Sequence, residues 1–587
     1  MSGTNNNQTS EEQIQALGLT LPSDRSQAIK LITGIYLEQV DPDDWIDPEK
    51  IASDVIQMVK TEFVSYNQNA ETGTKWKVPP TLEPEQIAMI MLRLHRIITI
   101  SFTDFSESKD YDALAIYQEY GKDAGIYITD QTEIRNLIRR YNNSIKTRDI
   151  NEVLARLQDQ AERKTRSEDR DLIAVNNGVF NYRTKILEPF TPDMVFTAKC
   201  RVDYNPTATS PVIHNDQDQT DWEIEGWIKD LFDDGSDIPE TIWQIIGAII
   251  RPNVSWGRSI WLYSSTGANA KGTLCELMRN LAGKGSYASI QLSEFKEKFA
   301  LEPLVRATSI ITDENDVGAY IDKVANLKAI ITNDVISIDR KFKSIIKYRF
   351  RGIIVECLNS RPRLKDQSES FYRRMLIIPF TKSFTGMERK YIKDDYLNRE
   401  DVLQYVLYRV LNMDYYEFTV PECCKMALDE YKTFNDPVKD FLEDILPRAS
   451  WGCLPNQFLF DMYKGWSKEN NPNGTIQGRN TFIDDVKNLI KPSEHGWYYV
   501  NPKSPTRVLN RMDGEEPLMD EYNCTNWMIN PNSTNIDYRI RVKLGKKKSH
   551  YSGLFKVNYT PPKESGIVIY DDNSISAPDG DTDAPAS

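Results

Sequence analysis

The chain has 587 residues, 27% of them charged and 40% hydrophobic, with a net charge of −14, so it is too long for one hydrophobic core and about three domains are expected. Nothing approaches the ~20 consecutive apolar residues of a membrane span, and the polar N-terminus MSGTNNNQTSEEQ lacks the basic-then-apolar build of a signal peptide, which predicts a cytoplasmic protein with no membrane partner. The seven cysteines form no CxxC pair and the four histidines (95, 214, 495, 550) have no metal-ligand spacing, which argues for reduced structural thiols and against a disulfide framework or zinc site.

Residues 1–170 read as mainly helical. PEKIASDVIQMVKTEFVSY, PEQIAMIMLRLHRIITI and EIRNLIRRYNNSI carry apolar residues at helical spacing, with the loop ETGTKWKVPPT and the hairpin-like IYQEYGKDAGIYIT between them. A helical collar or partner-binding domain is expected there. RDLIAVNNGVFNYRTKILEPF then alternates like paired strands around Asn-Asn-Gly, and polar residues 205–221 read as a linker, making 171–221 a small β segment and linker. Over 222–435 strands alternate with helices, predicting an α/β domain built on a mainly parallel sheet. Helices followed by a basic, strand-rich end over 436–565 suggest a winged helix, and 566–587 is too acidic and polar to fold.

The chemistry lies in the α/β segment. The strand IWLYSS runs into TGANAKGT and a helix, LCELMRNLAG. Backbone N–H groups of such a loop, the helix dipole and a lysine together form a phosphate cradle. Thr266, Gly267, Ala268, Asn269, Ala270, Lys271, Gly272 and Thr273 are the candidate ligands. The strict G-x-x-x-x-G-K-[ST] pattern is kept only at Lys271, with Thr273 one place late. ATSIITDEN ends in Asp313 and Glu314, the pairing a nucleotide motor uses to hold Mg2+ and orient water, and Thr273 and Asp313 are the candidate metal ligands. RGIIVECLNS ends in Asn359, suited to sensing a γ-phosphate or the water. YRRMLIIPF supplies Arg373 and Arg374, guanidinium groups of the kind that stabilise a transferring phosphoryl group. All are expected at the ligand-binding strand ends of the sheet.

Taken together, these motifs resemble the superfamily-three replicative helicases of the phage, plasmid and poxvirus primase–helicase type. Those proteins carry N-G-K-G-T or N-G-K-S-T where Asn269-Ala270-Lys271-Gly272-Thr273 stand, and usually Gly-Asp where Asn333-Asp334 stand. The resemblance also covers SEFKEKFALEPLVRATSIITDEN, CLNSRPRL, FYRRMLIIPF and, upstream of the motor, LIAVNNGVFNYRTKILEPFTPD. In layout it is closest to the replication initiators of staphylococcal pathogenicity islands. It implies an AAA+-like P-loop ATPase using ATP and Mg2+, a homo-hexamer, 3′-to-5′ movement on single-stranded DNA, origin DNA as a target and host replication proteins as a further class of partner. It also implies an arginine finger, Arg373 or Arg374, supplied by the neighbouring subunit. Two departures stand out. Ala270 adds a methyl where glycine is usual, and Gly272 removes a hydroxyl that commonly ligates Mg2+.

Two stretches are basic and free of acids, RKFKSIIKYRFRGIIV from Arg340 and RIRVKLGKKKSHYSGLFK from Arg539. Each reads equally as a solvated strand face or as a DNA contact. The resemblance favours a pore hairpin with Arg340, Lys341, Phe342 and Lys343, and a wing or clamp with Arg539, Arg541, Lys546, Lys547 and Lys548. NTFIDDVKNLIK, with Arg479, Lys487 and Lys491 nearby, is the candidate recognition helix. The alternatives are a DNA-binding regulator with a degenerate nucleotide site, and a primase–helicase fusion.

Overall fold

The computed structural model describes residues 21–560, apart from 43, 45, 72, 104–107, 317–319, 322–323, 342, 365, 367 and 471–475, and 544–546. The acidic stretch 566–587 lies outside the described residues. The chain divides into two compact units, Met1–Tyr431 and Lys432–Ser587.

The N-terminal part of the first unit is mixed rather than helical. Helices Arg25–Glu38, Pro48–Asn69 and Pro84–Leu94 start where the sequence can satisfy their free N–H groups. Asp24 and Asp47 accept from Gln27 N and Glu49 N, and Glu83 and Gln86 form a capping box ahead of Pro84. PEQIAMIMLRLHRIITI then splits in two. The helix ends at Leu94, Arg96 takes a left-handed φ of 41°, and the β-branched run becomes the strand Ile97–Ser101. That strand sits inside a four-stranded sheet with Ala113–Tyr117, Tyr127–Ile128 and Glu162–Thr165. Propensity over five residues overrides the helical spacing of the eleven before them.

The expected linker at 205–221 is also corrected. Ile213–Asn215 and Thr220–Trp222 pair as a hairpin, fastened by Asn215 Nδ2 donating to Tyr396 Oη at 2.9 Å and by Tyr391 Oη donating to Asp218 at 2.6 Å. The strands Leu172–Val175, Gly178–Asn181 and Ile186–Glu188 form the predicted antiparallel set. Ile173, Val175 and Phe180 belong to one continuous core that runs on to Cys424, whereas Ala174 and Val179 on the other face pack into the N-terminal core. In the first of these cores Arg251 is 1% exposed, enclosed by the rings of Tyr182, Tyr415, Tyr416 and Trp256 and donating to Tyr415 O at 3.0 Å. Cation–π contact partly offsets the cost of its burial.

The second unit packs helices Pro437–Arg448, Asn456–Asn470 and Arg479–Leu489 with a three-stranded antiparallel sheet of Cys453–Pro455, Gly553–Lys556 and Trp497–Val500. Its polar centre is Glu516, fully buried, accepting from Ser450 N at 2.9 Å and Trp451 N at 2.8 Å. Burial nevertheless pushes its carboxyl up to about 7. A carboxyl raised in the fold contributes its full stability below its ordinary value of 4.5 and loses it as pH climbs towards about 7. Chemical unfolding of the full chain is therefore expected to weaken across that window, and Glu516→Gln to flatten the slope; an unchanged slope contradicts the assignment.

Candidate nucleotide site

Five strands form an all-parallel sheet in the order Tyr287–Ala288, Ser309–Thr312, Ile353–Leu358, Ser259–Tyr263, Met375–Pro379. SIWLY, SIIT, IIVECL and MLIIP are almost wholly buried, as strands covered on both faces must be. Ser259–Tyr263 comes first in the chain and lies inside the sheet, so the connections run to either side of it. Ligands of open α/β sheets bind at such a reversal, outside the carboxyl ends of the strands.

Three candidate groups lie at that edge. Tyr263 pairs with Leu358 and Thr312 with Glu356. The loop 264–270, the acids Asp313 and Glu314, and Asn359 therefore all leave the sheet on one side. Arg373 and Arg374 do not. They precede Met375, which pairs with Ser259 at the opposite, amino-terminal edge, about 15 Å away along a five-residue strand. The expectation that all these groups share one end of the sheet is corrected accordingly. Arg258 Nη1 donates to Met375 O at 3.3 Å and to Arg373 O, and Arg374 Nη1 donates to Ser370 O. Arg373 is exposed.

The loop is set by its own side chains. Thr266 N donates to Ser264 Oγ at 3.3 Å, Asn269 Nδ2 to Thr266 O, and Phe384 N to Ala268 O at 2.6 Å. Ala268 and Ala270 are left-handed, with φ of 52° and 61°. Alanine pays about 1 kcal/mol for that geometry and glycine does not, which is the physical reason glycine is usual at position 270. The Ala270 methyl packs against the core. Asn333, at the other position where glycine is usual, is left-handed too (φ 57°) and donates to Phe350 O at 2.8 Å.

From Ala270 the chain enters the helix Lys271–Ala282. Lys271 is 4% exposed and donates to Asn269 Oδ1 at 2.9 Å; burial pulls its ammonium below the usual lysine value. A buried lysine at the N-terminus of a twelve-residue helix, after a loop with two left-handed residues, fits a phosphate. Thr273 is partly accessible in the first turn, and Asp313 is 36% exposed. Hydroxyl and carboxylate oxygens fit Mg2+, which takes one or two protein ligands with phosphate and water completing its shell. Glu314 and Asn359 are exposed.

Sequence reading did not single out three residues. Asn315 Nδ2 donates to Glu356 Oε2 at 2.9 Å and to Cys357 O at 3.1 Å, while its Oδ1 accepts from Leu292 N at 2.9 Å. It thereby ties the segment carrying the acids to two neighbouring elements. Glu356 is completely buried, and burial holds its carboxyl well above the ordinary range. An acid inside IIVECL was the available signal. Arg279, on the loop helix, pairs with Asp313 at 2.8 Å and with Glu276 at 3.0 Å; a basic residue on a helix gives no such warning. Beneath Lys271, Cys275 Sγ and Cys357 Sγ lie 3.3 Å apart, and the Cys275 thiol and burial push Cys357 well up.

Comparison with known proteins places family matches on three segments. Residues 69–233 match the D5 N terminal like family, 434–523 the Poxvirus D5 protein-like family, and 262–374 a family of unknown function designated DUF5906. Two separate segments of the chain are thus similar to D5-type proteins. The third match spans every candidate residue from Thr266 to Arg374. Similar solved structures include the A form apo structure of the NrS-1 C-terminal region, with a TM-score of 0.39, 11% identity, 81% of this chain covered and 99% of that one. Another apo structure of the same region gives 0.37 and 12%, covering 69% and 86%.

The basic stretches of the chain are less exposed than their sequence suggests. Val335–Arg340 and Lys343–Arg349 form the expected hairpin, but much of it is fastened to the N-terminal segment. Arg166 donates to Tyr348 Oη at 2.8 Å and Arg349 O at 2.7 Å, and Arg351 pairs with Glu168 at 2.7 Å. Arg340 is half-buried near Glu302. Lys341 is exposed at the turn; Phe342 lies outside the described residues. In the second unit the segment read as a wing opens with a helix rather than a strand. Ile536–Arg539 is a short helix, Arg539 pairs with Asp520, and Lys547 with Asp513. Acids distant in sequence neutralise these cations. Arg541 sits over the Tyr538 ring at 5.2 Å, Lys548 N donates to Tyr551 Oη at 3.1 Å, and Lys546 is outside the described residues. On the candidate recognition helix Lys487 pairs with Asp484 at 2.7 Å; beyond it Lys491 pairs with Glu494 at 3.1 Å, and Arg479 is exposed. No helix among the described residues is long and apolar enough to cross a membrane.

A Cβ on Gly272 would meet nothing within 4 Å. Gly272→Ala is therefore expected to raise stability by up to about 0.5 kcal/mol, less than the gain in a helix interior because position 272 lies in the first turn, read as a higher thermal midpoint. A lower midpoint would mean that the chain itself crowds this glycine.

Proposed function

We propose that this chain is an ATP-dependent DNA helicase and replication initiator of a phage or phage-dependent mobile element, working as a homo-hexameric ring on single-stranded DNA. The observation that carries the reading is the shared sheet edge. Buried Lys271 at a helix N-terminus, the acids Asp313–Glu314 and the neutral Asn359 follow three adjacent strands, the set that phosphoryl transfer from a nucleotide requires. The D5-like matches support a role in replication, and movement 3′ to 5′ follows from the resemblance.

Bound Mg-ATP would supply the phosphoanhydride to be cleaved, together with positive charge to offset that of the phosphates. The chain's residues then have separable tasks. Backbone N–H groups at 270–273 and the Lys271 ammonium, exchanged from Asn269, hold the outer phosphates. Thr273 and Asp313 provide oxygens to the metal. Glu314 takes a proton from water or aligns it, and Asn359 reports the terminal phosphate. Arg373 reaches the phosphates of the next subunit, since its own lie beyond the far edge of the sheet; Arg374 is occupied by Ser370 O. Lys341 and Lys343, beside the hairpin turn, would hold the DNA backbone, giving the sequence-independent grip that a translocating motor needs.

A second reading is a DNA-binding initiator with a weak nucleotide site. The left-handed alanine at 270 favours it, because strain there resists the compact loop. Phosphate release from ATP decides between them. Hydrolysis stimulated by single-stranded DNA is expected, falling about a hundredfold in Lys271→Ala as the main phosphate-binding cation is lost. Release that ignores DNA and survives the substitution would overturn the helicase reading.

A further inference from the structure

The Asp313 carboxylate, which the reading above assigns to the metal, is already engaged. Its Oδ1 lies 2.8 Å from Arg279 Nη2, and the arginine side chain is only 14% exposed. Arg279 sits six residues beyond Thr273 on the same helix, about 9 Å further along the axis at 1.5 Å per residue. The guanidinium therefore occupies a carboxylate oxygen that the metal would need. The other arm of Arg279, Nη1, is 3.0 Å from Glu276 Oε2, one turn back on the helix.

We propose that Arg279 is a positioning residue acting as a two-position latch: it holds Asp313 in one state and yields it to the divalent cation in the other, remaining paired with Glu276 throughout. The inference rests on the assignment of Asp313 to the metal and adds regulation of that site. Three features carry it. A planar guanidinium binds two carboxylates along different directions, so releasing one leaves it partnered rather than stranded in a largely buried position. A divalent cation offers the carboxylate more charge than arginine does, so the exchange is favourable when the cation is present. The segment after Asp313 is anchored independently, by Asn315 on Glu356, Cys357 and Leu292, so the carboxylate can exchange partners while the strand end stays in place.

The test is Mn2+ binding to the full chain with a non-hydrolysable ATP analogue, read from the electron paramagnetic resonance signal of free Mn2+. Asp313→Asn should weaken binding. Arg279→Gln should tighten it, by about fivefold for release from a partly exposed ion pair. The same change in the Asp313→Asn background should do nothing, because the effect passes through that contact. Arg279→Lys keeps the charge but not the fork, and guards against a folding defect in the glutamine variant. The latch predicts tightening there as well, whereas a general charge effect predicts none. Weaker or unchanged binding in the Arg279 variants, with Asp313→Asn still impaired, overturns the latch alone. Unimpaired binding by Asp313→Asn overturns the metal assignment and the latch together.

Discussion

Parallel pairing of five buried strands is the constraint from which the proposed chemistry follows. In a parallel sheet all carboxyl ends face one way and all amino ends the other, so a residue's side of the sheet is fixed by whether it precedes or follows its strand. Lys271, Asp313 and Asn359 follow theirs; Arg373 and Arg374 precede theirs. No adjustment of rotamers brings both sets around one phosphoryl group. Under the helicase reading a second copy must supply the guanidinium, and oligomerisation becomes a requirement of the chemistry rather than an addition to it.

The same region tolerates local costs that an ordinary core would not carry. Lys271 and Glu356 are buried ionisable groups, and Ala268 and Ala270 occupy left-handed backbone. Each is held by a specific partner or by packing: Lys271 by Asn269, Glu356 by Asn315, Ala270 by the core and Ala268 by the Phe384 amide. Two left-handed alanines within three residues, beside a buried lysine, are the kind of local cost that a ligand-binding loop carries. Arg279 adds a further element, a cation whose two acid partners leave it free to give one up.

Much of this edge was legible in the sequence because phosphate chemistry leaves local marks. A small-residue loop before a helix, acids after an apolar strand and an asparagine after the next are each contained within a few consecutive residues. The hairpin at 335–349 was expected from the family resemblance, not from the residues themselves. What sequence could not reveal depends on residues brought together from afar. The cations of 539–548 read as a clamp until Asp520 and Asp513 meet two of them. The polar hairpin at 205–221 read as a linker because Tyr391 and Tyr396, which hold it, lie some 170 residues on. Ile97–Ser101 was hidden behind a helical run whose spacing continued across the break at Arg96. Arg373 was placed on the wrong edge because a motif preceding a strand and one following it look alike when written in a line.

The most direct measurement is hydrolysis by mixtures of two singly substituted chains. Lys271→Ala retains the arginine but not the phosphate loop, and Arg373→Ala retains the loop but not the arginine. If the site is completed between copies, each alone is inactive and their mixture recovers ATP hydrolysis. A mixture as inactive as its components, or an Arg373→Ala chain that hydrolyses ATP as well as the parent, would contradict a site shared across subunits.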